Sequence, residues 1–221
     1  MTESSAPSQA QPTIWHGTEG EPVVVVLHDW NGRLPWADDF AERLAGEGFR
    51  VALPDFYAGR ATTDASQSRR LLRERTADMA GAHRIVSEAI GEARAGGSAR
   101  AALVGFSMGS MIALEYAAQG SVDAVVAYYG AAREGHGTVR VPVLFQLAER
   151  DTWTGKEAPD ALQERLAREG HHTVELRTYR GAKHGFQNAQ VEGKYDADAA
   201  AEAWASTLAF LREHLRPSAI E

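Results

Sequence analysis

A serine between two glycines, placed after an apolar run and before a helical pattern, most constrains the fold of this chain. Residues 105–109 read Gly-Phe-Ser-Met-Gly, between the apolar run 101–104 and the helix-like segment 111–117. Glycines without side chains let a strand and a helix pass closely at a sharp turn. This context is typical of a nucleophile elbow, whose serine hydroxyl stands exposed beside a helix N-terminus. We therefore expect Ser107 to be a nucleophile; an idle serine in an ordinary strand-to-helix turn is the alternative.

A serine nucleophile needs a base to take its proton, and the base needs a third group to orient it. In the fold that carries this elbow, the acid follows the serine in the chain and the histidine follows the acid. Asp151 comes after the apolar run 141–147, and His184 comes after the alternating run 174–179. Both positions are loops just past predicted strands. The sequence therefore predicts a catalytic triad of Ser107, Asp151 and His184.

Other histidines and acids compete for these roles. Glu149 falls close enough to the predicted strand to belong to it, and Asp160 is placed to cap a helix over 160–168. His28 ends the first predicted strand, and we expect it to pack beneath the serine turn. The remaining histidines fall in polar loops, at helix ends or in a charged helix, where a solvated side chain is expected: His16, His83, His136, His171, His172 and His214.

Composition narrows the class of protein. The chain has 221 residues, 44% of them hydrophobic and 24% charged, which are ordinary values for a soluble globular protein. The length suits one core, so we expect a single domain over residues 13–221. A net charge of −7 argues against a nucleic-acid partner and against binding to anionic membranes.

Missing sequence features exclude further classes. The chain has no cysteine, so disulfides and thiolate metal sites are excluded. It has no nucleotide-binding or zinc-binding motif, and we expect neither cofactor nor metal. Residues 1–12, rich in Ser, Ala, Gln and Pro, lack the pattern of a secretory signal and predict a disordered tail. The early apolar run 23–27 is too short to span a bilayer. We expect a cytoplasmic protein, as a monomer or homodimer.

Apolar runs alternate with segments of helical period along the chain. The early runs are continuously apolar, as in parallel strands buried on both faces, whereas the last alternates as an edge strand does. This pattern predicts a doubly wound α/β fold with a mostly parallel sheet of about six to eight strands flanked by helices. The candidate strands are 22–28, 49–53, 101–105, 124–129, 141–148 and 174–179. Apolar helix faces are predicted at 37/40/41/44, 85/86/89/90 and 204/208/211/215.

Four stretches together resemble the dienelactone hydrolase family of α/β-hydrolases, and the resemblance runs from about residue 22 onward. They are 25–32 (Val-Val-Leu-His-Asp-Trp-Asn-Gly), 48–57 with its Pro-Asp-Phe-Tyr ending, the serine turn, and 182–186 (Ala-Lys-His-Gly-Phe). The resemblance implies the α/β-hydrolase fold and hydrolysis of small carboxylic esters or lactones through an acyl-enzyme.

The chain departs from the founding members of that family at three positions. Ser107 stands in the place of their cysteine, Asp29 in the place of a glutamate, and Asn188 in the place of an arginine that holds the substrate carboxylate. These replacements favour ordinary esters over dienelactone. Four arginines are candidates to supply a positive charge instead: Arg60, Arg69, Arg70 and Arg73.

The tetrahedral oxyanion needs preorganised hydrogen-bond donors. The elbow motif assigns one to the backbone N–H of Met108, and the family resemblance assigns the other to Trp30.

Aromatic residues on or near loops at the same end favour an apolar acyl or aryl pocket, made from Trp30, Trp36, Phe56, Tyr57, Trp153 and Phe186. Asp29 is a further candidate for contact with the substrate, and residues 59–75 are long enough to form a lid.

Two other functions remain open. The same triad would support acyl transfer to an alcohol or amine. A hydrolase scaffold can also serve as a non-catalytic ligand-binding protein, because a fold alone does not establish a function.

Overall fold

The computed structural model describes residues 12–130, 138–154, 159–171 and 173–216. The described strands are β1 (Ile14–His16), β2 (Val23–Leu27), β3 (Arg50–Leu53), β4 (Ala101–Phe106), β5 (Ala124–Tyr128), β6 (Val143–Arg150) and β7 (Val174–Lys183). The described helices are α1 (Pro35–Gly46), α2 (Ala65–Thr76), α3 (Met79–Ala95), α4 (Met108–Ala117), α5 (Pro159–Arg168) and α6 (Ala197–Leu215). Residues 1–11 of the predicted tail lie outside the described part. None of the described helices has the length and apolar character needed to cross a membrane.

The strands form one seven-stranded sheet in the order β1-β3-β2-β4-β5-β6-β7. All neighbouring pairs are parallel except β1 and β3, which are antiparallel. The predicted α/β-hydrolase fold and its six strands are confirmed, and β7 lies at an edge as its alternation indicated. The additional strand, β1, is only three residues long, too short for a periodic signal. The order places β4 at the centre of the sheet, with Ser107 directly past its end.

Two apolar layers cover the faces of the sheet. Successive residues of a strand point to opposite faces. In β2, Val23, Val25 and Leu27 therefore belong to the layer beneath α2, α3, α4 and α5, whereas Val24 and Val26 belong to the layer beneath α1 and α6. All five are fully buried, which explains why this strand reads as a continuous apolar run.

The three predicted helix faces pack on these layers. The α1 face is fully buried, the α3 face is buried except for half-buried Ile85, and the α6 face buries Leu211 and Leu215 with Trp204 and Leu208 partly covered. An amphipathic stripe of this kind stabilises a helix mainly through burial against the sheet.

A buried polar cluster also fastens α6 to the sheet. Gln146 of β6 donates through Nε2 to the Ala203 carbonyl (2.9 Å) and to Thr207 Oγ1 (3.0 Å). Its Oε1 accepts a hydrogen bond from the Tyr179 hydroxyl. Tyr128 Oη completes the cluster, 2.7 Å from Thr207 Oγ1. Because buried polar groups are stable only when paired, the cluster depends on Gln146 as both donor and acceptor.

Replacing this glutamine tests the cluster. We expect Gln146→Leu to lower the free energy of unfolding by about 1–3 kcal/mol, because the buried Tyr179 hydroxyl and the Ala203 carbonyl each lose one hydrogen-bond partner. Denaturant unfolding would measure the change. The control is Gln163→Leu, the same substitution at an exposed position of α5. Equal unfolding midpoints for the two variants would contradict this account of α6 docking.

Candidate active site

Ser107 lies in a strained turn between β4 and α4. Its φ is 53° and its ψ is −108°, a conformation that costs free energy in a non-glycine residue. A Cβ at Gly105 would lie 2.4 Å from the Gly109 carbonyl oxygen, and a Cβ at Gly109 would lie 2.1 Å from the Leu27 carbonyl oxygen. Both positions therefore require glycine, and the turn has the geometry that the sequence predicted.

The side chains of Ser107, His184 and Asp151 form a continuous hydrogen-bonded chain. Ser107 Oγ lies 2.8 Å from His184 Nε2, and His184 Nδ1 lies 2.8 Å from Asp151 Oδ2. The other carboxylate oxygen of Asp151 accepts from the backbone N–H groups of Trp153 (2.7 Å) and Thr154 (3.1 Å). Burial opposes ionisation of Asp151, but hydrogen bonds from His184 and from these two residues outweigh it and hold its pKa below the ordinary value.

The three residues converge because each follows the carboxyl end of a strand. Ser107 follows β4, Asp151 follows β6 and His184 follows β7. Parallel strands bring these ends to one edge of the sheet. Their side chains can therefore meet although they are far apart in sequence.

The two competing acids have other roles. Glu149 lies within β6, and its carboxylate accepts a hydrogen bond from the backbone N–H of Gly181 (2.8 Å) in β7. Asp160 was predicted to cap its helix from the first position. Because α5 begins at Pro159, Asp160 instead lies inside the first turn, where a negative charge still suits the helix dipole.

His28 is a neutral structural histidine. It is fully buried, its Nε2 accepts from the backbone N–H of Phe56 (3.1 Å), and its Nδ1 therefore carries the proton that faces the Asp29 carbonyl (2.7 Å). Burial lowers the pKa of His28 to about 4. The ring joins the loops after β2 and β3, and the backbone of His28 lies against the first turn of α4, consistent with the predicted packing role.

The two expected oxyanion donors are the backbone N–H groups of Met108 and Trp30. Met108 is the first residue of α4, so its N–H is one of the groups without an intrahelical partner. Trp30 lies in the loop between β2 and α1. Within the described ranges, neither backbone N–H makes a hydrogen bond. Both groups can therefore donate to a bound molecule.

Buried polar contacts hold the loop that carries Trp30. Asp29 is buried, and its carboxylate accepts from Asn31 N (2.8 Å) through one oxygen and from Asn188 Nδ2 (2.9 Å) through the other. Burial raises the pKa of Asp29, and the hydrogen bonds from Asn188 and Asn31 oppose that rise. The Asn31 side chain donates onward to Ser68 Oγ (2.9 Å) and the Thr62 carbonyl (2.9 Å). Because Asn188 follows His184 by four residues, Asp29 links the Trp30 loop to the histidine loop.

A cavity of about 580 Å³ opens beside Ser107, Met108 and His184. Of the seven predicted pocket residues, which are the six aromatic residues and Asp29, Trp153 lines it and stacks edge-on against Trp30, with ring centroids 4.7 Å apart. The remaining lining residues are Leu72, Arg73, Thr76, Met79, Met111, Glu115, Gly130 and Thr154. Arg73 is one of the candidate cations and Leu72 lies in the candidate lid. Sequence reasoning missed the others, although positions 108, 111 and 115 share one helix face and could have been found by that spacing.

The other six predicted pocket residues do not line this cavity. Asp29 is buried beneath the Trp30 loop, as described above. Trp36 packs against Phe106 (centroids 4.8 Å apart), Phe186 is fully buried in the same apolar layer, and Tyr57 is buried with its hydroxyl 3.0 Å from Met108 Sδ. A position near a strand end does not fix where an aromatic side chain points, so these side chains can pack away from the cavity.

The four candidate arginines differ in whether they line the cavity. Arg73 lines the cavity, whereas Arg60 and Arg70 pair with Glu74 at 2.8 and 3.7 Å. Arg69 is exposed and does not line the cavity. Much of the proposed lid, residues 59–75, is the ordered helix α2, which forms one wall of the cavity.

One group among the described residues has the spacing of metal ligands. Glu175, Glu213 and His214 place their ligand atoms within 4.8 Å of one another. Glu175 lies near the start of β7, at the opposite end of that strand from His184. The group therefore takes no part in the site around Ser107.

Comparison with known proteins gives the family of this chain. The model of the dienelactone hydrolase family matches residues 13–215. Protein usf of Aquifex pyrophilus is 27% identical over 208 residues, which cover 89% of this chain and 90% of that protein. Carboxymethylenebutenolidase 1 of Cupriavidus pinatubonensis is 28% identical, over 68% of this chain and 70% of its own.

Solved structures agree in fold. The protein m3DLH superposes with a TM-score of 0.77 at 26% identity, covering 90% of this chain and 88% of its own. The dienelactone hydrolase-like promiscuous phosphotriesterase P91, from metagenomic libraries, superposes with a TM-score of 0.79 at 22% identity and 92% coverage of both chains. The family match spans nearly all of the described residues, so the chain belongs to the dienelactone hydrolase family and is a carboxylic ester hydrolase with the α/β-hydrolase fold.

Proposed function

We propose that this protein hydrolyses small carboxylic esters or lactones through an acyl-enzyme on Ser107. The hydrogen-bonded path from Ser107 Oγ through His184 to Asp151, with both contacts at 2.8 Å, is the observation that carries the proposal. A serine hydroxyl at that distance from an oriented imidazole is an activated nucleophile.

Each residue of the proposed triad has a separate role. Ser107 Oγ attacks the carbonyl carbon while His184 Nε2 takes the hydroxyl proton. His184 then returns that proton to the departing alcohol, which leaves the acyl group on Ser107. Asp151 holds the Nδ1 proton and stabilises the imidazolium. His184 Nε2 then takes a proton from a water molecule, whose oxygen attacks the acyl carbon. As the bond from that carbon to Ser107 Oγ breaks, His184 returns the proton to Ser107 Oγ and the acid leaves.

The backbone N–H groups of Met108 and Trp30 are the proposed oxyanion hole. Both are without hydrogen-bond partners among the described residues, and Met108 also lies at the positive end of the α4 dipole. One such donor typically lowers the barrier by about 3–4 kcal/mol.

Hydrolysis is favoured over the rival functions. Acyl transfer would need a site for a second substrate, whereas hydrolysis needs only water. A non-catalytic protein would have no physical use for the strain at Ser107 together with an oriented acid and base. At position 188 the side chain is an uncharged amide engaged with Asp29, so it offers no cation to a substrate carboxylate. The single domain, the cytoplasmic location and the monomeric or homodimeric state remain predictions.

Removing the nucleophile tests the proposal directly. We expect Ser107→Ala to lower turnover of p-nitrophenyl acetate by at least about 10⁴-fold and to abolish labelling by a fluorophosphonate. Mass spectrometry would locate the adduct on Ser107 in the unmodified protein. Ser87→Ala, the same change at an exposed position of α3, is the control. Turnover near the original level in Ser107→Ala would contradict the assignment of Ser107 as the nucleophile.

The choice of acid is tested by a pair of substitutions. We expect Asp151→Asn to lower kcat by about 10⁴-fold, because an amide favours the wrong histidine tautomer. Glu149→Gln is the matched control, since the Glu149 carboxylate accepts a hydrogen bond between β6 and β7 and does not contact His184. Steady-state kinetics would measure both variants. A large loss in Glu149→Gln, with activity kept in Asp151→Asn, would move the acid to position 149.

The link between the Trp30 loop and the histidine loop is tested by exchanging its ends. Asp29 accepts through both carboxylate oxygens, so Asp29→Asn leaves one acceptor for two donors, Asn31 N and Asn188 Nδ2. Asn188→Asp sets two carboxylates face to face. We expect each to lower kcat by about 10–100-fold with a smaller change in KM, because small misplacements of catalytic groups are costly. The double exchange restores a donor opposite an acceptor and should recover part of kcat. If the double exchange loses as much as the two single losses combined, the link does not position the site.

A further inference from the structure

We propose that the substrates carry a linear aliphatic chain of about eight carbons, and that this chain lies in a groove along α4 that ends at Glu115. The inference rests on the proposed ester hydrolysis at Ser107 and specifies its substrates. The groove is the part of the 580 Å³ cavity that leads away from Ser107 between α4 and the α2–α3 segment.

One wall of the groove is a single face of α4. Met108, Met111 and Glu115 all line the cavity, and their spacing of three and four residues places them on one side of the helix. At a rise of 1.5 Å per residue, Met108 and Glu115 are about 10 Å apart along the axis, the length of an extended chain of about eight carbons. Because Ser107 directly precedes Met108, the groove starts at the reacting carbonyl.

The opposite wall comes from α2 and the start of α3. Leu72 and Thr76 are one turn apart on α2, and Met79 is the first residue of α3. Leu72 and Met79 pack partly buried against the same apolar layer that contains Met108 and Met111. Both walls therefore contribute apolar side chains to the groove. Methionine is unbranched and adaptable, which suits contact with a flexible hydrocarbon chain.

The far end of the groove is charged. Glu115 lies two turns along α4 from Ser107, and its Oε2 is 3.8 Å from His83 Nε2. An aliphatic chain gains free energy along the methionines and loses it where it would strip water from a charge. The charged end therefore sets an upper limit on chain length.

The chain can belong to either side of the ester, and two substrate series separate these cases. One series is p-nitrophenyl esters of linear acids of two to twelve carbons, and the other is acetate esters of linear alcohols of the same lengths. We expect kcat/KM to rise about two- to fourfold per methylene up to about eight carbons in one series, and then to fall. The series that responds shows whether the acyl or the alkoxy chain occupies the groove.

Two variants connect the length profile to the groove. Met111→Trp fills its middle, so the ratio of kcat/KM for the eight-carbon to the four-carbon substrate should fall at least tenfold. Glu115→Leu removes the charge at its end, so the preferred length should move to ten or twelve carbons. Glu115 is only partly buried, so this variant remains informative if Met111→Trp does not fold. Glu88→Leu, the same change on the exposed face of α3, should keep the original profile.

The outcomes separate this inference from the proposed function. Turnover of short esters with no gain from longer chains in either series would overturn the groove alone. A length profile unchanged by both groove variants would overturn it as well. If no ester is turned over and no phosphonate adduct forms on Ser107, the proposed function fails and the inference fails with it.

Discussion

The close contact between the first turn of α4 and the backbones of β2 and β4 is the constraint on which the site depends. A methyl group at Gly109 would meet the Leu27 carbonyl oxygen at 2.1 Å, so α4 comes this close to β2 because position 109 is glycine. Leu27 ends β2, three residues before Trp30. The same contact sets the first turn of α4, which follows Ser107 and contains Met108, against the end of the strand that leads into the Trp30 loop.

Local patterns predicted most of the architecture. The six longer strands, the three buried helix faces and the strained turn at Ser107 all follow from periodicity and glycine placement, which act within a few residues. β1 was missed because a three-residue antiparallel edge strand has no period of its own. The meeting of Ser107, Asp151 and His184 followed from chain order and strand ends, and their catalytic role stays a prediction.

The cavity was beyond the reach of the same reasoning. Trp36, Tyr57 and Phe186 lie near strand ends as expected, yet their rings are buried, since packing across the layers decides side-chain direction. The walls instead come from α2, α3 and α4, whose residues are distant in sequence. Only the spacing of positions 108, 111 and 115 on one face of α4 could have indicated a cavity wall from the sequence. The resulting cavity is lined by apolar side chains together with the charged residues Arg73 and Glu115.

The buried neutral ring of His28 has a consequence for acid tolerance. In the unfolded chain this imidazole binds a proton below about pH 6.5, its ordinary pKa, whereas in the folded protein its pKa is about 4. Unfolding in this interval therefore takes up a proton at His28. By linkage, the contribution of this residue to stability is complete above about pH 6.5 and decreases as the pH falls toward 4. The buried His28 ring thus makes the stability of the fold sensitive to acid, independently of any titration of the candidate catalytic residues.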